Sequence, residues 1–232
     1  MKTSGGLQPP GRPSLQVPEV TLYGDGTLIY AAMDAGGRLA IFQADVSDDA
    51  IGGLLEEIED AGFFNFPYEL ASPVIATEDL ATTYVYVNSK VAANAVNAYA
   101  LGADDVNEQS DGDEFEYYRR LVKIAERIDA LTPADGAQPY RPDAIALVVV
   151  LQEGSSGEAE PWSVDAIDLA EIANGEDVAG ERLLSGEQAA AIIRELPALT
   201  FRSFQEDGNV FAVGYRPVLP FEEHFPEFET PP

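Results

Sequence analysis

The stretch LYGDGTLIYA, residues 22–31, most resembles a chemical motif because it places Asp25 between two glycines. A ligand loop would need further oxygen donors or a phosphate-binding context, but the side chains around Asp25 are those of leucine, tyrosine and isoleucine. Glycines beside an aspartate supply the positive φ angles of a tight hairpin turn. The pattern therefore predicts the corner of a β-hairpin rather than a ligand site.

A second stretch, ADDVNEQSDGDEFE over residues 103–116, is dense in the oxygen ligands that calcium prefers. When Gly112 is aligned with the invariant glycine of an EF-hand loop, Tyr118 occupies the last position, where that loop needs a bidentate glutamate. The EF-hand motif fails, and only a looser calcium site within 104–114 stays open. The favoured alternative is an acidic loop before a helix, whose N-terminus attracts Asp and Glu. We assign no metal site and no cofactor.

Nucleophilic catalysis has no evident base, because the only histidine, His224, lies in a proline-rich acidic tail and cysteine is absent. The sequence also has no Gly-x-Ser-x-Gly elbow, dinucleotide fingerprint or phosphate-binding loop. Paired carboxylates can perform acid–base chemistry, as in glycosidases, but the spacing of 41 acidic residues carries no information. We predict no catalytic residue and no enzymatic activity, with a carboxylate-dependent hydrolase as the alternative.

Charge is the most extreme property of the chain, with 41 acidic and 13 basic residues and a net charge of −28 at pH 7. This balance excludes nucleic acid and anionic membrane surfaces as partners. A cationic partner is permitted, although a solvated acidic surface is the simpler explanation. Apolar residues make up 46% of the chain, which is enough for a core. The longest apolar run, 144–151, is far shorter than the ~20 residues of a membrane-spanning helix, so no membrane insertion is expected.

Apolar spacing and capping residues predict three helices. The first follows Ser47 and stops at Gly62, and the second runs from about 113 to 131. The third opens at Ser185 with a capping-box pattern and ends before Pro197.

Alternating and β-branched runs predict strands at about 20–31, 38–44, 82–88, 91–100, 143–152, 200–205 and 209–216. Residues 162–167 are predicted as a further strand, with a helix over 163–173 as the alternative. Both halves then follow the order strand, strand, helix, strand, strand. This order predicts an α+β fold of two similar units, with an antiparallel sheet that carries its helices on one face. The predicted segments are a flexible leader (1–18), a first unit (19–132), a linker (133–142), a second unit (143–221) and an acidic proline-rich tail (222–232).

The strand TTYVYVN, residues 82–88, directs Thr83 and its valines to one face and Tyr84 and Tyr86 to the other. Because valine suits the core, we expect both tyrosines on the sheet face that the helices leave uncovered. Tyrosine offers a large contact area with a polar tip, which suits protein recognition. The alternative is that neighbouring strands or the other half cover them. Tyr84 and Tyr86 are the candidate partner-binding residues.

Several weak motifs lie within about residues 20–131: Gly24-Asp-Gly26 with Leu28 and Tyr30, the helix 47–59, Ala61-Gly-Phe-Phe64, Asp79, the strand 82–87, and Tyr99. Together they resemble an uncharacterised family of bacterial secreted or lipoprotein domains. The resemblance implies an extracytoplasmic protein without known catalytic residues. The tandem helix-plus-sheet arrangement is also similar to the β-lactamase-inhibitor protein architecture, whose concave sheet binds a partner protein; that similarity is at fold level.

Residues 1–18, MKTSGGLQPPGRPSLQVP, have the Gly/Ser/Pro composition of a tether like those after the lipidated cysteine of lipoproteins. We therefore predict a lipid-anchored or secreted protein, with a cytoplasmic location as the alternative. Its predicted role is that of a non-enzymatic binding or interaction module for another envelope protein. A structural domain of a larger envelope assembly is a further alternative.

Overall fold

The computed structural model describes residues 1–4, 12–73, 80–103, 112–133, 136–152, 159–173 and 179–222. The strands in these ranges are β1 (Lys2–Ser4), β2 (Val20–Leu22), β3 (Thr27–Met33), β4 (Leu39–Asp45), β5 (Thr82–Asn88), β6 (Ala93–Tyr99), β7 (Gln138–Pro139), β8 (Ala144–Leu151), β9 (Glu160–Pro161), β10 (Gly180–Ser185), β11 (Arg202–Glu206) and β12 (Asn209–Pro217). The α-helices are α1 (Asp48–Asp60), α2 (Glu116–Asp129), α3 (Leu169–Ile172) and α4 (Gly186–Glu195). The predicted α+β class with antiparallel sheets is confirmed.

The strands form three separate sheets rather than one. Their orders are β1-β5-β6, β2-β3-β4-β7 and β10-β8-β12-β11-β9. Neighbouring strands pair antiparallel except β9, which runs parallel to β11. Helices α1 and α2 pack with the first two sheets around one core, while α3 and α4 pack on the third sheet around another.

The predicted hairpin corner at Asp25 is confirmed. Leu22 lies opposite Leu28 in the β2–β3 ladder, and Gly26 takes a φ of 93° between the two strands. The Thr27 N–H donates to Asp25 Oδ1 at 2.9 Å, so the carboxylate closes the turn. This hydrogen bond lowers the pKa of Asp25.

The three predicted helices are present, and their ends follow local chemistry. The Ser47 hydroxyl accepts a hydrogen bond from the Ala50 N–H at 3.3 Å, which caps α1. Gly62 ends the helical region with a φ of 76°. The capping box at Ser185 is not formed, since its side chain accepts no hydrogen bond from the first turn of α4.

The strand predicted over 162–167 is wrong. Residues 162–167 form no strand, and the preceding strand, β9, contains only Glu160 and Pro161. The alternative of a helix over 163–173 holds for 169–172, where Asp168 caps α3 by accepting from the Glu171 N–H at 2.9 Å. Strand β10 was not predicted, because GERLLS has no clean alternation and its pairing with β8 depends on tertiary structure. The second half therefore contains an additional strand and does not repeat the element order of the first.

The prediction of a flexible leader over 1–18 is wrong for its described residues. Residues 2–4 form β1 against β5, and residues 13–15 form a 3₁₀ turn. Leu15 is only 2% exposed, because this turn packs on β12. The predicted linker also contributes structure, since β7 pairs with β4.

The two halves are joined by a small apolar cluster. Val17, Ile29 and Ile41 from the first half pack against Leu199 and Leu219 from the second. Among the described residues, no helix combines the length and apolar character needed to cross a membrane.

Tyr118, in the core between the first two sheets, leads to a prediction about alkaline pH. It is buried, its hydroxyl donates to the Ala100 carbonyl at 2.6 Å, and burial raises its pKa to about 12. A raised tyrosine pKa stabilises the fold fully below the ordinary value of about 10 and loses that contribution as pH rises toward 12. We expect Tyr118→Phe to cost about 1 kcal/mol at neutral pH and to weaken the fall in stability above pH 10.

Urea unfolding at about pH 8 and about pH 11 measures this difference. Tyr117→Phe, at an exposed site in the same helix, is the control and should leave the pH profile unchanged. An unaltered profile in Tyr118→Phe would contradict the assignment.

Candidate binding groove

Tyr84 and Tyr86, the two candidate binding residues predicted from the sequence, differ in their exposure in the structure. Tyr84 is 2% exposed, so the expectation that it lies on an uncovered face is wrong. Strand β1 places Lys2 opposite it on one side and β6 places Asn97 on the other. Burial raises the pKa of Tyr84, and Tyr68 lies close enough to add to that effect. Lys2 lies about 80 positions away in sequence, so strand alternation alone did not reveal that β1 covers this edge of β5.

Tyr86 is half-buried and lies where two surface depressions adjoin, with volumes of about 340 and 150 Å³. We call the combined feature the tyrosine groove, defined by the residues that line both parts: Met1, Val20, Leu22, Tyr23, Gly24, Tyr86 and Asn88. These residues come from the ends of β1, β2 and β5. The groove therefore lies at the junction of the first two sheets.

The larger depression has an aromatic wall beside the hairpin corner. Tyr23 immediately precedes that corner, and its hydroxyl donates to the Pro220 carbonyl at 2.9 Å. Phe221 packs against it with ring centroids 6.4 Å apart, yet Phe221 remains 63% exposed. Burial raises the pKa of Tyr23, so its hydroxyl stays protonated as a donor even above the ordinary tyrosine pKa of about 10. The corner at Asp25 thus positions a binding wall instead of forming a ligand site itself.

The smaller depression has a wall made by helix α1. The apolar side chains of this wall are those of Ile51, Leu54, Leu55 and Ile58. Leu54 and Ile58 are buried in the core, whereas Ile51 and Leu55 are half-buried and closer to the surface. An apolar stripe of this kind at helical spacing can receive apolar side chains of a partner.

Neither depression is lined by an aspartate or glutamate among the described residues. The charged lining residue is Lys2, in the part of the groove that α1 does not line. Burial lowers the pKa of Lys2, and nearby Arg216 adds to this. The walls are otherwise apolar, aromatic or uncharged polar, which suits binding of a side-chain-rich segment.

In the described part of the chain, no three His, Cys, Asp or Glu side chains are placed to hold a metal ion. The acidic stretch at 104–111, Asp79 and His224 lie outside the described residues. The predictions that concern them stay predictions.

Comparison of the chain with protein-family models, with curated proteins and with solved structures found no match. The resemblance to a secreted domain family therefore stays a prediction.

Sequence reasoning selected Tyr86 but missed Tyr23 and Phe221. Tyr23 adjoins Gly24-Asp25-Gly26, and the local pattern there predicts only the turn. Phe221 lies 198 positions further along the chain and reaches Tyr23 through packing between the two halves. An aromatic residue next to a predicted corner was the one signal available.

Proposed function

We propose that the protein is a non-enzymatic binding module that holds a segment of a partner protein in the tyrosine groove. The observation that carries this proposal is the exposed Phe221 ring on Tyr23, beside Tyr86. Large aromatic rings supply contact area at low entropic cost and are enriched where proteins meet. An exposed aromatic beside a concave apolar surface is the arrangement that such an interface uses.

A carboxylate-dependent hydrolase would need converging carboxylates of raised pKa in a cleft. The described lining of the tyrosine groove supplies apolar and aromatic groups instead. This difference favours binding over hydrolysis as the role of the groove.

We place the protein outside the cytoplasm, lipid-anchored or secreted, on the basis of the family resemblance. The packed residues 1–4 and 12–18 no longer support a tether within this segment. Protease accessibility on intact cells of the source organism tests the location, and protection from the protease would contradict it.

Replacing Tyr86 by alanine is expected to weaken partner capture at least about tenfold, as for an aromatic residue central to an interface. The measurement is affinity capture from the organism's cell envelope with immobilised protein, followed by quantification of each captured protein. The expected result is a defined set of proteins that wild type retains and Tyr86→Ala loses.

Tyr117→Ala is the matched control, because Tyr117 is 43% exposed on α2 and does not line the groove. It should retain the same set. Equal capture by all three proteins would contradict a binding role for the groove.

A further inference from the structure

Helix α1 carries a stripe of four residues along its groove side, and the two ends of the stripe are acidic. Asp48, Ile51, Leu55 and Glu59 follow one another at spacings of three, four and four residues. Residues at these spacings lie above one another on one side of a helix. At a rise of about 1.5 Å per residue, Asp48 and Glu59 lie about 16 Å apart along the axis. The carboxylates therefore bracket Ile51 and Leu55, which line the groove.

The acidic end at Glu59 is unfavourable for the helix itself. Glu59 and Asp60 lie in the last turn of α1, which contains no basic residue. The C-terminus of a helix carries partial negative charge and favours cations. The stability of the helix thus does not account for the carboxylates of Glu59 and Asp60 at its C-terminus. Such departures from local preference are expected at functional sites.

The chain supplies little compensation for this charge. Residues 39–89 contain no lysine or arginine. Within the described residues, the ion pair made by α1 joins Glu57 to Arg127 at 3.1 Å, and Asp48 and Glu59 form none. Both carboxylates are exposed, and their helical spacing places them on the side of α1 that carries Ile51 and Leu55.

We propose that the segment held in the tyrosine groove is cationic and amphipathic. Its apolar side chains contact Tyr86, Ile51 and Leu55, and two basic side chains about 16 Å apart pair with Asp48 and Glu59. This inference rests on the proposed binding function and adds the chemistry of the partner. The net charge of −28 would also steer such a segment toward the protein.

The probe is the labelled peptide acetyl-Lys-Thr-Phe-Thr-Leu-Thr-Lys-amide, whose lysines lie on the same face of the extended chain as Phe and Leu. Their Cα atoms are about 20 Å apart when extended, and the flexible four-carbon stems let the ammonium groups approach to about 16 Å. Its counterpart carries glutamine at both ends. Fluorescence anisotropy should show the lysine peptide binding about tenfold more tightly than the glutamine peptide. Glu59→Lys should remove most of that difference and leave the affinity for the glutamine peptide unchanged.

Glu195→Lys is the matched control, because Glu195 is an exposed residue that ends α4 in the second half. It makes the same change in net charge and should preserve the preference for lysine. A thermal melt gives a second readout, in which Glu59→Lys should raise the midpoint slightly because it complements the helix dipole. If Glu59 had a purely structural role, Glu59→Lys would instead lower the thermal midpoint and the affinity for both peptides together.

The outcomes separate this inference from the function on which it rests. If Tyr86→Ala weakens both peptides but Glu59→Lys does not alter the preference, the cationic chemistry is overturned and the groove function stands. If Tyr86→Ala weakens neither peptide, or if neither peptide binds wild type, both proposals are overturned.

Discussion

Replacing Leu15 by alanine is expected to lower the free energy of unfolding by about 2–4 kcal/mol, the usual cost of truncating a buried leucine. Leu15 belongs to the segment whose composition predicted a flexible leader, and for such a leader the substitution would be neutral. The structure buries Leu15 against β12 and anchors its turn through Arg12, whose Nη1 donates to the Leu199 carbonyl at 3.1 Å. Urea unfolding followed by far-UV circular dichroism measures the change.

Leu183→Ala is the matched control for this experiment, since it makes the same substitution at a side chain that is 68% exposed. It should change the stability by no more than about 0.5 kcal/mol. Equal effects at Leu15 and Leu183 would show that the N-terminal turn does not pack in solution.

Gly214 on β12 provides a sharper test of the same contact. A Cβ at Gly214 would lie 2.9 Å from Leu15 Cδ1 and 3.0 Å from the Thr200 carbonyl oxygen. Gly214→Ala alone should therefore destabilise the protein, but it should cost about 1 kcal/mol less when Leu15 is already alanine. If the losses of stability in the two single variants add up in the double variant, the contact is contradicted. If the double variant loses less than that sum, Leu15 contacts Gly214.

The features that sequence predicted correctly are those that local chemistry determines. The corner at Asp25 needs only a turn residue between alternating strands, and α1 needs only Ser47 and apolar residues at helical spacing. Both can be recognised within about a dozen neighbouring positions.

The features that sequence reasoning missed depend on partners from elsewhere in the chain. Alternation correctly separated Tyr84 from Val85, but the burial of Tyr84 depends on β1, which lies about 80 positions away in sequence. The burial of Leu15 likewise depends on the absence of a side chain at Gly214. The walls of the tyrosine groove come from the N-terminus, the β2–β3 corner, α1, β5 and Phe221, so no single stretch of sequence could outline it.

Replacing Gly180 by alanine is expected to have the largest effect of any conservative change in the second half, about 3–5 kcal/mol of stability. Gly180 opens β10 and lies opposite Val149 of β8. The carbonyl group that ends α3 passes directly over it, so an added Cβ would lie 1.7 Å from the Ile172 oxygen and 2.6 Å from its carbonyl carbon. Both atoms are backbone, and no side-chain rotation relieves the overlap. Either α3 or the start of β10 must move, and both cover the buried core of the third sheet.

Gly52→Ala in α1 provides a control of opposite sign. No heavy atom lies within 4 Å of a Cβ built at Gly52, and the position is an exposed helix interior. Alanine there should raise the stability by about 0.5–1 kcal/mol, because glycine carries a higher entropic cost in a helix. Hydrogen exchange should also show that Gly180→Ala loses protection first in β10, the edge strand that it displaces. Similar stabilities for the two variants would mean that α3 does not cross β10 at Gly180, and the packing of the third sheet would then have to differ from the one described.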